Sequence, residues 1–323
     1  MATVTQTTGV INTGTGSVAT KPAAFYDKVL LKTLRARSFN HAAFAQTRPM
    51  PKNAGDTINF RKIGVLAPAT TPLTEGVTPD GNSATVTAIS ATTKQYGDYI
   101  VFSDVVDFQQ IDPIITEYSK EQGVQASETV DVLVRDEITA GTNVLYAGGR
   151  VSRATLAAGD KPTIDLFRKA ALTLKKNKVR PAANGKYIAL VSADVVFDLM
   201  DDAKFVQAFN IGRDNKPFID GEIADIYGIK FVEVTAGTSK IFSGAGASGA
   251  NVHASVVFGE EAYGITKING EGDAQTIVKA LGSSGVADAL NQRQSIGWKI
   301  NAFVAKRLKE EAIVRVESVP SNS

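Results

Sequence analysis

Polarity along the chain changes its period several times, and each change marks an element. After a stretch of Thr, Gly, Ser, Val and Ala at residues 1–20, Phe25, Val29, Leu30, Leu34 and Phe39 recur at helical spacing. Lys28, Lys32, Arg35 and Arg37 lie between them, so this is an amphipathic helix, broken near Ser38, with a basic face. Base rates favour a solvated role for that face over a nucleic-acid contact. Pro49 and Pro51 rule out helix, and Asn53 to Asp56 reads as a turn. From Thr57 the period drops to that of a strand: Ile58, Phe60 and Lys62 share one face, while Asn59, Arg61 and Ile63 share the other. Pro72 to Ser83 is loop, dense in Pro, Gly, Asp and Asn. Ala84 to Asp104 returns as strand, rich in Thr, Val, Ile and Tyr. Thr57 to Val101 therefore reads as a long two-stranded arm with an elaborated tip, within a polar hairpin running from Arg48 to Tyr96.

The period then becomes helical. Asp112 is suited to an N-cap and Pro113 to the first helical position. Ile114, Ile115, Tyr118, Gln122, Ala126, Val130, Leu133, Val134 and Ile138 form the stripe, and Gly141 closes it. Gly123 marks a place for a bend. At the usual helical rise this element is about 40 Å long, more than a compact domain needs, which suggests a strut. Thr163 to Val179 is a second helix, capped by Thr163, with Lys175, Lys176 and Lys178 complementing its C-terminal dipole. Lys186 to Ser192 is a buried-type strand with a short helix after it, and Tyr227 to Val234 is another strand. The stretch "VHASVVFGEEAYGITKI" reads as strand and then turn. The end, "SIGWKINAFVAKRLKEEAIVRVES", alternates like strand with one helical turn. The second half is thus mixed α and β.

A two-stranded ribbon is marginal in water and its edges invite pairing, so an arm of this kind is laid on something. Residues 1–20 carry no charged side chain and are too small and polar to form a core, which implies an extended arm, ordered only against a neighbour. Composition narrows the function. Formal net charge is +2 over 323 residues, which excludes a strongly basic nucleic-acid binder. The absence of cysteine removes disulfides, thiolate nucleophiles and thiolate metal sites. No apolar run is long enough to span a bilayer, so no membrane partner is expected, and the N-terminus lacks the pattern of a signal peptide.

Candidate chemistry fails on context. Gly244 to Ala250 matches a G-x-G-x-x-G spacing, but Asn251 to Gly259 alternates as strand instead of opening a helix on a pyrophosphate. His41 and His253 have no spaced ligand partners. The pairs Asp201/Asp202, Glu260/Glu261 and Glu310/Glu311 point apart on any regular element and read as solvated charge. Asp214 to Glu222 lacks a calcium loop's alternating ligands, and no G-x-S-x-G elbow occurs. No enzyme, cofactor or metal is expected.

The hairpin with "PLTEGVTPDG" and "KQYGDYIVFSD", the helix "YSKEQGVQASETVDVLVRDEITAGTNVLYAGG", "YIALVSADVVFDL", "GEIADIYGIKFVEV" and "LNQRQSIGWK…EEAIVRVES" occur in an order that resembles the major capsid proteins of tailed double-stranded DNA bacteriophages. The likeness covers about residues 20–318, with Ala289 and Ala224 standing where Pro and Gly are common. It implies an α+β, Hong Kong 97-like fold. Residues 1–20 would be the N-arm, 21–46 an N-terminal helix region and 47–100 an extended loop overlying a neighbour. Residues 101–185 and 295–323 would be a peripheral domain with a spine helix at 112–140, and 186–294 an axial domain at the five- and six-fold axes. It further implies a coat protein that self-assembles through pentamers and hexamers around the genome, in the virion capsid, built in the host bacterial cytoplasm. Portal, scaffolding or decoration proteins and non-specific contact with packaged DNA are the expected partners. Arg61, Lys62, Glu75 and Asp80 in the loop are the candidates for inter-subunit ion pairs. Three other readings stay open: a cellular nanocompartment shell of the same fold, an enzyme with a β-hairpin lid, and a tail or other virion protein.

Overall fold

The computed structural model describes residues 11–13, 16–18, 41–51, 53, 55–64, 66–78, 81, 83–105, 114–182, 185–205, 225–234, 237–268, 274–283 and 288–322. The expected helix at Phe25 to Phe39, the cap at Asp112 and the candidate Asp80 lie outside these residues. Towards the N-terminus, β1 (Ile11–Thr13) and β2 (Gly16–Val18) form a small antiparallel pair.

The ribbon is real but shorter than its sequence pattern. β3 (Gln46–Met50) precedes it, and β4 (Thr57–Ile63) pairs antiparallel with β5 (Val86–Thr92). At Thr93 the returning strand leaves the ribbon, and β6 (Lys94–Ser103) joins a different sheet. Composition did not mark this break, because both segments carry strand-forming residues: Val86, Thr87, Ile89 and Thr92 in the first, and Tyr96, Tyr99, Ile100 and Val101 in the second.

The spine of the molecule is α1 (Ile114–Thr139), with β7 (Val144–Tyr146) after it. Its expected stripe is confirmed where side chains are described: Gln122, Ala126, Val134 and Ile138 are buried, whereas Tyr118 at the open end is exposed. Next come α2 (Ile164–Lys176), β8 (Tyr187–Ser192) and α3 (Ala193–Asp201). Thr163 occupies the N-cap of α2, but its side chain makes no cap bond. The amide of Ile164 donates instead to the Asp202 carboxylate, at 3.0 Å, from 38 residues further on. Asp202 is therefore a tertiary cap and not the solvated charge its sequence suggested.

The remaining strands are β9 (Asp225–Ile226), β10 (Ile229–Val234), β11 (Lys240–Phe242), β12 (Val252–Phe258), β13 (Tyr263–Ile268), β14 (Gln275–Lys279), β15 (Arg293–Arg307) and β16 (Ile313–Ser318). They fall into two sheets. In one, β7, β16, β12, β8, β10 and β9 lie side by side, with β11 also on β12. In the other, β15 is the axis: β6 runs along one edge, and β14 and then β13 along the other, with β3 outside β13. The partners of β13 and β14 fall in succession along β15, so the two are one interrupted track. Residues 263–267 and 275–279 thus pair with β15, whereas 313–318 lie beside β12. Sheet membership cuts across the boundary expected at 294/295, because the turn at 308–312 carries the chain from one sheet to the other.

These parts stack in three layers. Alternation in β8 sends Tyr187, Ala189 and Val191 to a core under α2 and α3, and Ile188 and Leu190 to a core under α1 and β15. Buried polar groups tie the layers. Asp131 of α1 is fully buried; it pairs with His41 Nδ1 at 2.7 Å and accepts the Ala42 amide at 3.0 Å. The Tyr263 hydroxyl donates to the His41 carbonyl at 2.7 Å, and burial pushes its pKa strongly upward. This knot holds the chain entering β3 against α1 and β13. Glu317, equally buried, takes a bidentate grip from Arg153, whose guanidinium lies 3.4 Å from the Phe242 ring centre.

Asp131→Ala leaves the His41 ring and the Ala42 amide without their partner, and should cost about 2–3 kcal/mol. Asp131→Asn should recover most of that loss. Urea denaturation of the three proteins checks this, and equal midpoints for Ala and parent would refute it.

Candidate assembly surfaces

The ribbon is fastened at its root and free at its tip. Ile58, Phe60, Ile89 and Ala91 turn one face onto Val304 and Leu308, the alternation expected for β4. Arg48 lies 5.7 Å from the centre of the Phe60 ring. Lys62, on the same face, pairs with Glu311 of its own chain, so this candidate serves the root within one subunit. Beyond Ile63 the described apolar side chains are largely uncovered: Leu66, Leu73 and Val77 are 60%, 77% and 62% exposed. Arg61 and Glu75 are exposed and make no ion pair among the described residues. Between Gly64 and Thr85 the only charged residues are Glu75 and Asp80, both acidic.

Among the described residues, the sheet around β15 is covered on one face only. Inward, Trp298 Nε1 donates to Gln125 Oε1 at 2.9 Å, and Gln122 Nε2 donates to the Ile296 carbonyl at 2.8 Å, which lays α1 along the strand. Asp98 also faces inward and accepts from Gln125 at 2.7 Å. Outward, Tyr99, Gly297 and Ile277 stand in one row across three strands. A Cβ on Gly297 would come within 2.8 Å of the Tyr99 Cβ and 2.9 Å of the Asp98 carbonyl, so only glycine fits the floor. The result is a cleft of about 440 Å³ walled by Tyr99, which is 68% exposed, and by Ile277. Lys279 and Lys299 share its face on either side of that row, and neither has an ion-pair partner among the described residues. Sequence patterning flagged β6 as strand but gave no sign of the cleft, since its floor depends on two strands far apart in sequence.

The interior groups that the sequence flags do not assemble into a reactive site among the described residues. Ser192 Oγ lies 3.0 Å from His253 Nδ1, but Asp194 approaches the same nitrogen at 3.7 Å. A nucleophilic relay needs the two partners on opposite ring nitrogens. Burial lowers the His253 pKa against the pull of Asp194, which favours a neutral ring. In the 244–250 loop the Gly246 amide donates to the Ala250 carbonyl and the Ala247 amide to Leu156, so neither is free for a phosphate. Among the described residues no group of three or more His, Asp or Glu is placed to hold a metal, and no helix is long and apolar enough to cross a membrane.

Residues 85–316 match the family model described as phage capsid protein, well over half of the chain. The chain belongs to the phage capsid protein family. It is a shell protein of the virion, a structural component of an icosahedral phage capsid. Solved structures agree in fold. The capsid of Ralstonia phage GP4 superposes with TM-score 0.72 at 14% identity, covering 97% of this chain and 98% of that one. The Cyanophage Pam1 capsid asymmetric unit gives 0.71 at 14% identity, covering 97% and 100%. The capsid of Cyanophage P-SCSP1u gives 0.68 at 17%, covering 97% and 98%. No curated protein sequence matches the chain. The mixed α+β capsid fold is thus as expected from the sequence motifs.

Glu310 and Glu311, read from sequence as solvated charge, anchor the crossing between the two sheets of this capsid protein. Burial raises the Glu310 pKa, but the Thr142 amide and Arg307 outweigh it and hold the carboxyl below its ordinary value. Burial likewise raises Glu311, and Lys62 more than offsets it. Lowered folded-state pKa values mean stabilisation that is complete above the ordinary glutamate pKa and lost as pH falls through the folded value. Both side chains are 41% exposed, so screening keeps each effect small. Glu311→Gln should lower the melting temperature at pH 7 by no more than about 2 °C. At acid pH, where Glu311 is protonated, the variant and parent should melt together. A gap that persists unchanged into acid would remove the ion pair as its cause.

Proposed function

We propose that this chain is the major coat subunit of a tailed phage, acting structurally and not as an enzyme, and that its extended loop closes the shell by docking on a second copy. The observation that carries this is a pair of complementary surfaces that do not meet within one chain. The loop tip is apolar and acidic, and the sheet cleft is apolar and flanked by unpaired lysines. Both stay exposed, so the tip of one copy and the cleft of another satisfy each other. Such a contact is heterologous, joining different patches, and it generates rings when the rotation closes. Pentamers and hexamers of this kind tile an icosahedral shell.

Magnitudes fit reversible assembly. Burying an apolar side chain of this size contributes about 1.5–3 kcal/mol, and ordering the loop offsets part of that. Exposed ion pairs add about 0–1 kcal/mol each, enough to set register more than strength. Each contact is then weak enough to correct errors, and stability comes from their number. In this reading 1–20 is an N-arm ordered on neighbours, 101–185 and 295–323 form the peripheral domain with α1 as its spine, and 186–294 forms the axial domain. Assembly in the host cytoplasm, with portal, scaffolding or decoration proteins, completes the proposal. The family match favours the phage shell over a nanocompartment or a lidded enzyme.

Deleting Leu66 to Asn82 should leave a soluble, folded subunit that fails to make closed particles under negative-stain electron microscopy. Ile277→Asp, which charges the cleft wall, should fail in the same way with its melting temperature little changed. Normal particles from either protein would refute the docking role.

A further inference from the structure

The sequence singles out a lysine cluster at the end of α2 and attributes it to the helix dipole. The fold shows something broader. Ile164, Leu166, Phe167, Ala170, Ala171 and Leu174 are buried, so the opposite side of α2 is its solvent face. That face carries Arg168 and Lys169 on one turn and Lys175 and Lys176 about two turns further on, with Leu172 between them. Of the nearby carboxylates, all but the exposed Asp201 at the end of α3 are already engaged. Asp165 is held by Lys204 and Arg168, Asp202 caps the helix, and Asp198 accepts from Ser321. Lys169, Lys175 and Lys176 have no ion pair among the described residues.

A second observation comes from another part of the chain. β9 and β10 are joined by a two-residue turn, Tyr227–Gly228, with φ of 53° and 77°. Positive φ at both positions is the geometry for which Asn-Gly is preferred. A bulky aromatic there is strained, and strain of this kind concentrates at functional positions. The Tyr227 ring is 47% exposed and lies under the Arg168 guanidinium, 4.6 Å from the ring centre. A groove of about 530 Å³ runs between this ring and α2, lined by Arg168, Lys169, Leu172 and Lys175, with Asp165, which pairs with Arg168, as its one carboxylate. The helix-dipole explanation accounts for Lys175 and Lys176 but not for a strained tyrosine that orients Arg168.

We infer that the α2–Tyr227 face binds the phosphodiester backbone of double-stranded DNA, as the place where the coat subunit meets the packaged genome. The choice of DNA as ligand rests on the shell reading above. The recognition is of charge, with no base contact: three ammonium groups without ion-pair partners among the described residues, beside a guanidinium that Tyr227 and Asp165 together orient. With net charge near neutral elsewhere, a single local patch gives weak, salt-labile contact that does not arrest DNA during packing.

The test uses purified full-length subunits and a short fluorescein-labelled duplex, with anisotropy read over a range of salt. Lys175→Gln/Lys176→Gln should weaken binding about tenfold at low salt and reduce the salt slope by roughly 2, near 0.9 per lost contact. Lys279→Gln/Lys299→Gln, the same charge loss on the other face, should leave that slope unchanged. Tyr227→Asn is the decisive variant, because Asn suits the turn: it should raise the melting temperature and still weaken DNA binding about threefold. Equal slopes for the two double variants, or Tyr227→Asn binding DNA like the parent, would overturn the assignment. If the α2 variants bind DNA normally but no longer form particles, the face is a protein contact and the inference is wrong while the shell reading stands.

Discussion

Strand β15 is the member on which the other parts of the subunit depend. It is an antiparallel axis with β6 on one edge and the β14–β13 track on the other, and its inner face is closed by α1. Trp298 and the Ile296 carbonyl are both bonded to glutamines of that helix, so sheet and strut are fixed in register and not merely in contact. Removing the helix would expose a hydrophobic sheet face, and removing the sheet would leave a polar helix with a single narrow stripe. Each is stable only as the other's cover.

The turn after β15 converts this two-layer unit into a three-layer one. Leu308 to Ala312 carries the chain into the second sheet, and the charges around it reach in several directions. Glu311 meets Lys62 of the ribbon, Glu310 meets Arg307 and the end of α1, and Lys309 meets Glu261 before β13. None of these pairs is deeply buried, so together they set orientation more than they supply stability. The buried ionic contacts are different. Glu317 with Arg153 and Asp131 with His41 would be costly to leave unpaired, and so each specifies one arrangement of the segments it joins.

The surfaces left over are those a subunit of a larger body requires. An acidic apolar loop tip, an apolar cleft beside lysines, and a cationic helix face are each left open among the described residues. They lie on separate elements: the ribbon, the outer face of the β15 sheet and the outer face of α2. A molecule that worked alone would have little use for a ribbon secured at its root and exposed at its tip.

The local periods of the sequence determined much of this. The face of β4 that carries Ile58, Phe60 and Lys62, the stripe of α1 and the buried strand at Tyr187 to Ser192 were all legible, because alternation and helical spacing record which side of an element meets the core. The ordered motifs from the hairpin to "EEAIVRVES" carried the fold family. The sequence did not reveal that the returning ribbon strand is split at Thr93, that Asp202 caps a helix begun at Ile164, or that Asp131 is paired with His41. Nor did it show that Gly297 floors a cleft between Tyr99 and Ile277, or that Tyr227 sits under Arg168. Those features depend on pairs far apart in the chain, and composition is blind to which distant partner a charge or an aromatic ring will find. Local pattern sets the element and its buried face; only the packing of one element on another decides which polar groups are satisfied and which surfaces are left open to a neighbour.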